Sequence, residues 1–129
     1  MATIHRFEDV ESWKEARKLT TDLYRICRRK PLSDDFGLCD QIRRAGVSIM
    51  ANIAEGFGRH GTREFLQFLS LARGSTSELK SHFYVMLDAE YIDQSTFDDL
   101  YAKGDHIETL ITGFMTYLQK TTLKGRKFK

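Results

Sequence analysis

Residues Gly56 to Gly61 read Gly-Phe-Gly-Arg-His-Gly, the spacing Gly-x-Gly-x-x-Gly of a dinucleotide-binding loop. Such a loop works only where a strand delivers it and a βαβ unit surrounds it, so that the pyrophosphate rests on a helix N-terminus. Here the pattern follows a helical stretch and no parallel sheet can be drawn around it, so the dinucleotide reading is set aside. The plainer account is that glycines end one helix and let the chain reverse. A milder chemistry survives: free N–H groups at the start of the next helix, beside Arg59, His60 and Arg63, could receive a phosphate or another anion.

Asn52, Glu55, Ser75, Glu78 and His82 also bear on chemistry. A catalytic reading pairs Glu55 with Glu78 as acid and base, or with His82. No nucleophile motif accompanies them, so a structural hydrogen-bond network between the second and third helices is the better expectation. Cys27 and Cys39 flank Pro31 and would face each other across a helical hairpin; as free thiols they read as small core residues of a reducing compartment. No second cysteine or histidine pair has zinc-ligand spacing, and the Glu-x-x-His pairs of di-iron bundles are missing. No metal, cofactor or catalytic activity is expected.

The elements that would position these residues are helical. A first helix runs from about Asp9 to Arg29, with Val10, Trp13, Ala16, Thr20, Leu23, Tyr24 and Cys27 on its inner face. Arg25, Arg28, Arg29 and Lys30 suit its negative end, and Lys30-Pro31 stops it. Ser33, backed by Asp34 and Asp35, starts the second helix. Leu38, Ile42, Ala45, Gly46, Ile49, Ile53 and Phe57 line its core face, and Gly56, Gly58 and Gly61 end it. The third helix begins at Gly61 or Thr62 and lasts to about Ala89, with Phe65, Phe68, Leu69, Ala72, Thr76, Leu79, Phe83, Met86 and Leu87 inward. Ser95 and Asp98 form a capping box for a fourth helix that reaches about Thr121, and a basic tail follows from 122 to 129. Short connections make neighbours antiparallel, so the 129 residues should form one all-α domain, an up-down-up-down four-helix bundle.

The second and third helices carry a further stripe away from the core: Arg44, Ser48, Ala51 and Glu55 on one, Leu71, Gly74, Glu78, Val85 and Ala89 on the other. A glycine in mid-helix costs about 1 kcal/mol against alanine, which the close approach of another backbone would explain. A monomer would leave this stripe exposed, so it is the expected interface of a homo-oligomer. The formal net charge of +2 is too small to argue for nucleic acid, and only its distribution could do so. No apolar run approaches the ~20 residues of a membrane span. The first residues lack the apolar core of a secretory signal, so the cytoplasm is the expected location.

Three groups of residues together resemble one bacterial family. They are Phe7-Glu8-Asp9-Val10 with Trp13-Lys14; Phe36-Gly37-Leu38, Gln41 to Ala45, Ser48-Ile49 and Asn52 to Gly56; and Glu64-Phe65, Phe68-Leu69, Ala72 to Ser75 and Glu78-Leu79. The chain is thereby similar to the four-helix bundle proteins encoded by 23S rRNA intervening sequences, also called S23 ribosomal proteins. Gly46 departs from a pattern that more often has alanine. The resemblance implies a cytoplasmic antiparallel bundle without known catalytic activity. It also implies kinship with the accessory variability proteins of diversity-generating retroelements, pentameric barrels with basic surfaces that work with a reverse transcriptase and nucleic acid. A pentamer is expected on that ground alone.

In the bundle topology one pole gathers His5, Arg6, Arg59, His60, Arg63, Lys120, Lys124, Arg126, Lys127 and Lys129. The other gathers Asp34, Asp35, Asp88, Glu90, Asp93, Asp98 and Asp99, offset in part by Arg25 to Lys30. The leading expectation is therefore an oligomer that associates with RNA through Arg59, His60, Arg63, Lys120, Lys124, Arg126, Lys127 and Lys129. The alternative is a scaffold for another protein, or an accessory subunit, whose basic residues serve solubility.

Overall fold

The apolar stripes become four long helices in the computed structural model, which describes residues 3–123: α1 (Glu11–Ile26), α2 (Phe36–Gly58), α3 (Thr62–Asp88) and α4 (Gln94–Leu123). Two 3₁₀ turns, Phe7–Asp9 and Leu32–Asp34, precede α1 and α2, and no strand occurs among the described residues. Contacts between helices fix their directions, because as one residue number rises its partner's falls. Ser48 meets Ser75 and Gly56 meets Phe65 between α2 and α3. Lys80 meets Asp105 and Arg73 meets Thr112 between α3 and α4. Gly46 packs on Thr20 of α1, and Lys103 of α4 reaches Asp22. The molecule is an antiparallel four-helix bundle.

Its core follows the helical period. Ala16, Leu23, Ile42, Ile49, Ile53, Phe65, Leu69, Leu79, Phe83 and Met86 are buried, joined by Leu100, Ile107, Ile111 and Leu118 of α4. Leu19, Leu32 and Phe114 are buried too, although the reading of the stripes passes over them. Tyr24 departs from the expected inner face and is 40% exposed, whereas Trp13 is half-buried and packs against the core and Phe7.

Several helix ends differ from their sequence reading, each for a local reason. Asp9 lies before α1, where its carboxylate accepts from the N–H groups of His5 and Arg6 at 3.0 and 3.2 Å. Those two backbone donors hold its pKa low, against a smaller effect of burial and with help from the charge of Arg6. At the other end of α1, the N–H groups of Arg28 and Arg29 turn to carbonyls three residues back, so the helix ends at Ile26 and not at Arg29. The cap of α2 is Asp35 and not Ser33: its Oδ1 accepts from Leu38 N–H at 3.1 Å. Its other oxygen accepts from the Tyr91 hydroxyl at 2.9 Å, tying the α3–α4 connection to the start of α2. That bond raises the tyrosine's pKa. The cap of α4 is Asp93 and not Ser95, with Thr96 N–H on its Oδ1 at 2.8 Å.

The glycines after α2 were expected to turn the chain, but Gly56 and Gly58 lie inside the helix. A Cβ on Gly56 would meet Phe68 Cβ at 2.7 Å and Phe65 Cδ1 at 2.8 Å, so this glycine lets α3 approach. The left-handed residue that reverses the chain is His60, with φ 60°. Glu90 does the same after α3, where Tyr91 N–H donates to Met86 O and Glu90 N–H to Leu87 O, the double bond of a Schellman turn.

Candidate functional site

The α2–α3 turn is built from Arg59, His60 and Gly61, and the sequence places its candidate phosphate seat there. Gly61 stands at the N-cap of α3 and supplies no side chain to cap it. Among the described residues the N–H groups of Thr62, Arg63 and Glu64 have no acceptor. The Thr62 hydroxyl is buried, with the residue 7% exposed, and it too lacks a partner. The Glu64 carboxylate folds over Gly61, where a Cβ would meet its Oε1 at 2.5 Å.

The cations of this pole differ in their availability. Arg59 is engaged: its Nε and Nη2 donate to Glu55 Oε2 at 3.1 and 2.9 Å, and its guanidinium lies 5.2 Å from the Phe68 ring centroid. His60 is exposed, with its ring 6.4 Å from Phe57. Arg63 and Lys120 are exposed, and no described carboxylate pairs with either. Antiparallel packing brings the α3 start beside the end of α4, as the 5.4 Å edge contact of Phe65 with Phe114 shows. Lys124, Arg126, Lys127 and Lys129 lie outside the described residues.

The expected polar network between α2 and α3 exists with a different membership. Ser48 Oγ and Ser75 Oγ are 2.8 Å apart, and Asn52 Nδ2 donates to Ser48 Oγ and Ser48 O at 3.0 and 2.9 Å. Glu55 and Glu78 stay out of it. The first pairs with Arg59, and the second lies 3.4 Å from His82 Nε2 on its own helix. The two carboxylates are thus engaged on separate helices and face no common reacting position. Among the described residues no group of three or more histidine, cysteine or acidic side chains could hold a metal ion. No described helix is long and apolar enough to cross a membrane.

Around this network lies the second stripe. Leu71, Val85 and the neighbouring Val47 are 57%, 47% and 43% exposed, and Ala51 and Gly74 are exposed between them. A Cβ on Gly74 would meet nothing within 4 Å, so no close approach inside the chain accounts for that glycine. Arg44 pairs with Asp40 at 2.9 Å at one end of the stripe.

Two buried features complete the inventory. Cys27 and Cys39 are free and buried, and Cys39 Sγ donates to Leu32 O at 3.3 Å. Burial first, and then hydrogen bonding with Cys39, pushes the Cys27 thiol up to about 12, so at neutral pH it offers no nucleophile. Lys80, whose side chain is 15% exposed, donates to Asp105 Oδ1 at 2.6 Å and Glu108 Oε1 at 2.7 Å. Gly104 makes room for its stem, since a Cβ there would meet Lys80 Cγ at 3.0 Å. The stripe reading missed this cluster, because a lysine on a helix face reads as solvated.

The model of a family described as 23S rRNA-intervening sequence protein matches residues 8–113. The chain is also similar in structure to a protein of unknown function from the S23 ribosomal protein family of Bacteroides thetaiotaomicron, with a TM-score of 0.75 and 19% identity. That likeness covers 81% of this chain and 95% of the other, and at such identity it speaks for the fold alone. No curated protein matches the sequence.

Proposed function

The chain belongs to the 23S rRNA-intervening sequence protein family, and from that premise we propose that it works without catalysis, as a self-assembling bundle that holds RNA phosphates at its α2–α3 pole. The observation that carries this reading is the start of α3. Three N–H groups there have no acceptor among the described residues, and the unpaired cations Arg63 and Lys120 stand on the same pole. Such a seat grips backbone phosphate and reads no base, so its affinity should fall steeply with salt through counterion release. Glu64 would have to swing off Gly61 to admit the ligand.

Assembly would gather several such poles into one basic surface, with five copies expected from the resemblance to accessory variability proteins. The α2–α3 stripe, apolar at Leu71 and Val85 and open at Gly74, is the face offered for it. The same apolar exposure also suits the second reading, a scaffold whose partner is another protein. Retention of RNA by Arg63→Gln with Lys120→Gln tests the first reading. The double variant should bind more weakly than the wild type at about 50 mM salt and show a shallower salt slope. Equal retention, with assembly intact, would remove this pole as the RNA site.

A further inference from the structure

Along the outer edge of α1, aromatic rings and guanidinium groups alternate. Trp13 is half-buried, with the Arg17 guanidinium 5.8 Å from its ring centroid. Further along, the exposed Tyr24 carries the guanidinium of Arg43, from α2, at 5.7 Å. Steps of three and four place Trp13, Arg17, Thr21 and Tyr24 on one face, its two rings about 16 Å apart along the helix, and Arg28 and Arg29 follow in the turn after it. The surface there is hollowed. One shallow hollow of about 440 Å³ is lined by Trp13, Arg17, Thr21 and Asp22, and a second, separate one of about 590 Å³ by Tyr24, Asp40, Arg43, Arg44 and Val47.

The charge on this edge is unbalanced. Arg25 has Asp22 at 3.7 Å and Arg44 has Asp40 at 2.9 Å, yet no described carboxylate pairs with Arg17, Arg28, Arg29 or Arg43. Packing would account for one ring under one cation. It does not account for three exposed, unpaired arginines, Arg17, Arg28 and Arg29, beside two rings, with the half-buried Arg43 over one of them.

We propose that this edge of α1, completed by Arg43 and Arg44 of α2, is a groove for single-stranded RNA, its bases stacking on Tyr24 and Trp13 and its phosphates held by the unpaired arginines. The proposal rests on the RNA reading above but occupies a different surface from the α2–α3 pole. Stacking on side chains requires unpaired bases, so a duplex, which hides their faces, cannot use the rings.

The test uses the full chain and a fluorescein-labelled single-stranded RNA of about 12 nucleotides, the matching duplex, and polyglutamate as an acidic-protein mimic. Trp13 is the one tryptophan of the chain, so its emission reports the groove directly. The single strand should quench it. Tyr24→Leu should weaken single-strand binding about tenfold while Tyr24→Phe retains it, since a stacked ring and not a hydroxyl is used. Arg28→Gln with Arg29→Gln should reduce the salt slope for the single strand by about 1.4. Wild-type affinity in Tyr24→Leu, an unquenched Trp13 at saturation, or equal quenching by polyglutamate would overturn the groove. Loss of binding confined to Arg63→Gln with Lys120→Gln would overturn the groove and leave the pole. No RNA binding by the wild type would overturn both.

Discussion

Lys80 pairs a largely buried ammonium with two carboxylates, Asp105 and Glu108, and sets its charge 5.0 Å from the Tyr101 ring centroid. Burial pulls its pKa down, but the hydrogen bonds to Asp105 and Glu108 outweigh that and hold it above the ordinary 10.5. A cation whose folded pKa is raised contributes stability that is fully present below its unfolded value and is lost as pH rises through the folded one. Lys80→Met, which keeps the stem over Gly104, should therefore destabilise by about 1–2 kcal/mol near neutrality, the exposure of the carboxylates holding the figure down. The gap in urea midpoint between variant and wild type should hold up to about pH 10.5, the lysine's reference value, and narrow progressively above it; a gap unchanged at strongly alkaline pH would assign the loss to packing. None of this was legible beforehand, because a lysine on a helix face reads as solvated until the register of α3 on α4 is known. Tyr24 shows the same limit: the period puts it on the inner arc, and only the position of Arg43 reveals that it faces outward.

At the scale of the helices, the sequence carried the period well and the termini poorly. Leu38, Ile42, Ile49 and Ile53 of α2 are buried as their spacing requires. Caps depend on single side-chain rotamers, so Asp35 and Asp93 displaced the equally suitable Ser33 and Ser95. Glycine misled for a physical reason: Gly56 serves close packing, and the left-handed turn fell to His60. Two predictions follow from that exchange of roles. Gly56→Ala must force α2 from Phe65 and Phe68, and should cost about 1–3 kcal/mol in chemical denaturation. Glu90→Gly relieves a left-handed residue on the surface and should raise stability by about 0.5–1 kcal/mol, read as a higher urea midpoint with an unchanged slope. A lowered midpoint would mean that the Glu90 side chain contributes more than its backbone strain costs.

For the molecule as a whole, the stripe along α2 and α3 was legible because it is apolar or small where a lone bundle should be polar, and Leu71, Val85 and Gly74 are indeed exposed in the single chain. What covers it was not, since sequence patterns do not name a partner. If copies of this chain cover it, Gly74→Arg and Ala51→Arg should each break assembly with helix content retained, as light scattering and far-UV circular dichroism would register. A wild type that scatters as a 15.0 kDa monomer at micromolar concentration would refute assembly outright. The helices are also unequally seated. Of the neighbouring helix pairs α2 and α3 share the most contact and α1 and α4 the least, with a surface hollow of about 520 Å³ at the α1–α4 seam crossed by the ion pair of Asp22 with Lys103. Amide hydrogens of α1 should accordingly exchange with solvent sooner than those of α3, in an opening that leaves the rest of the bundle closed. A strand of RNA lying along α1 would then act as a splint, and its arrival would be read as slowed deuterium uptake in that helix.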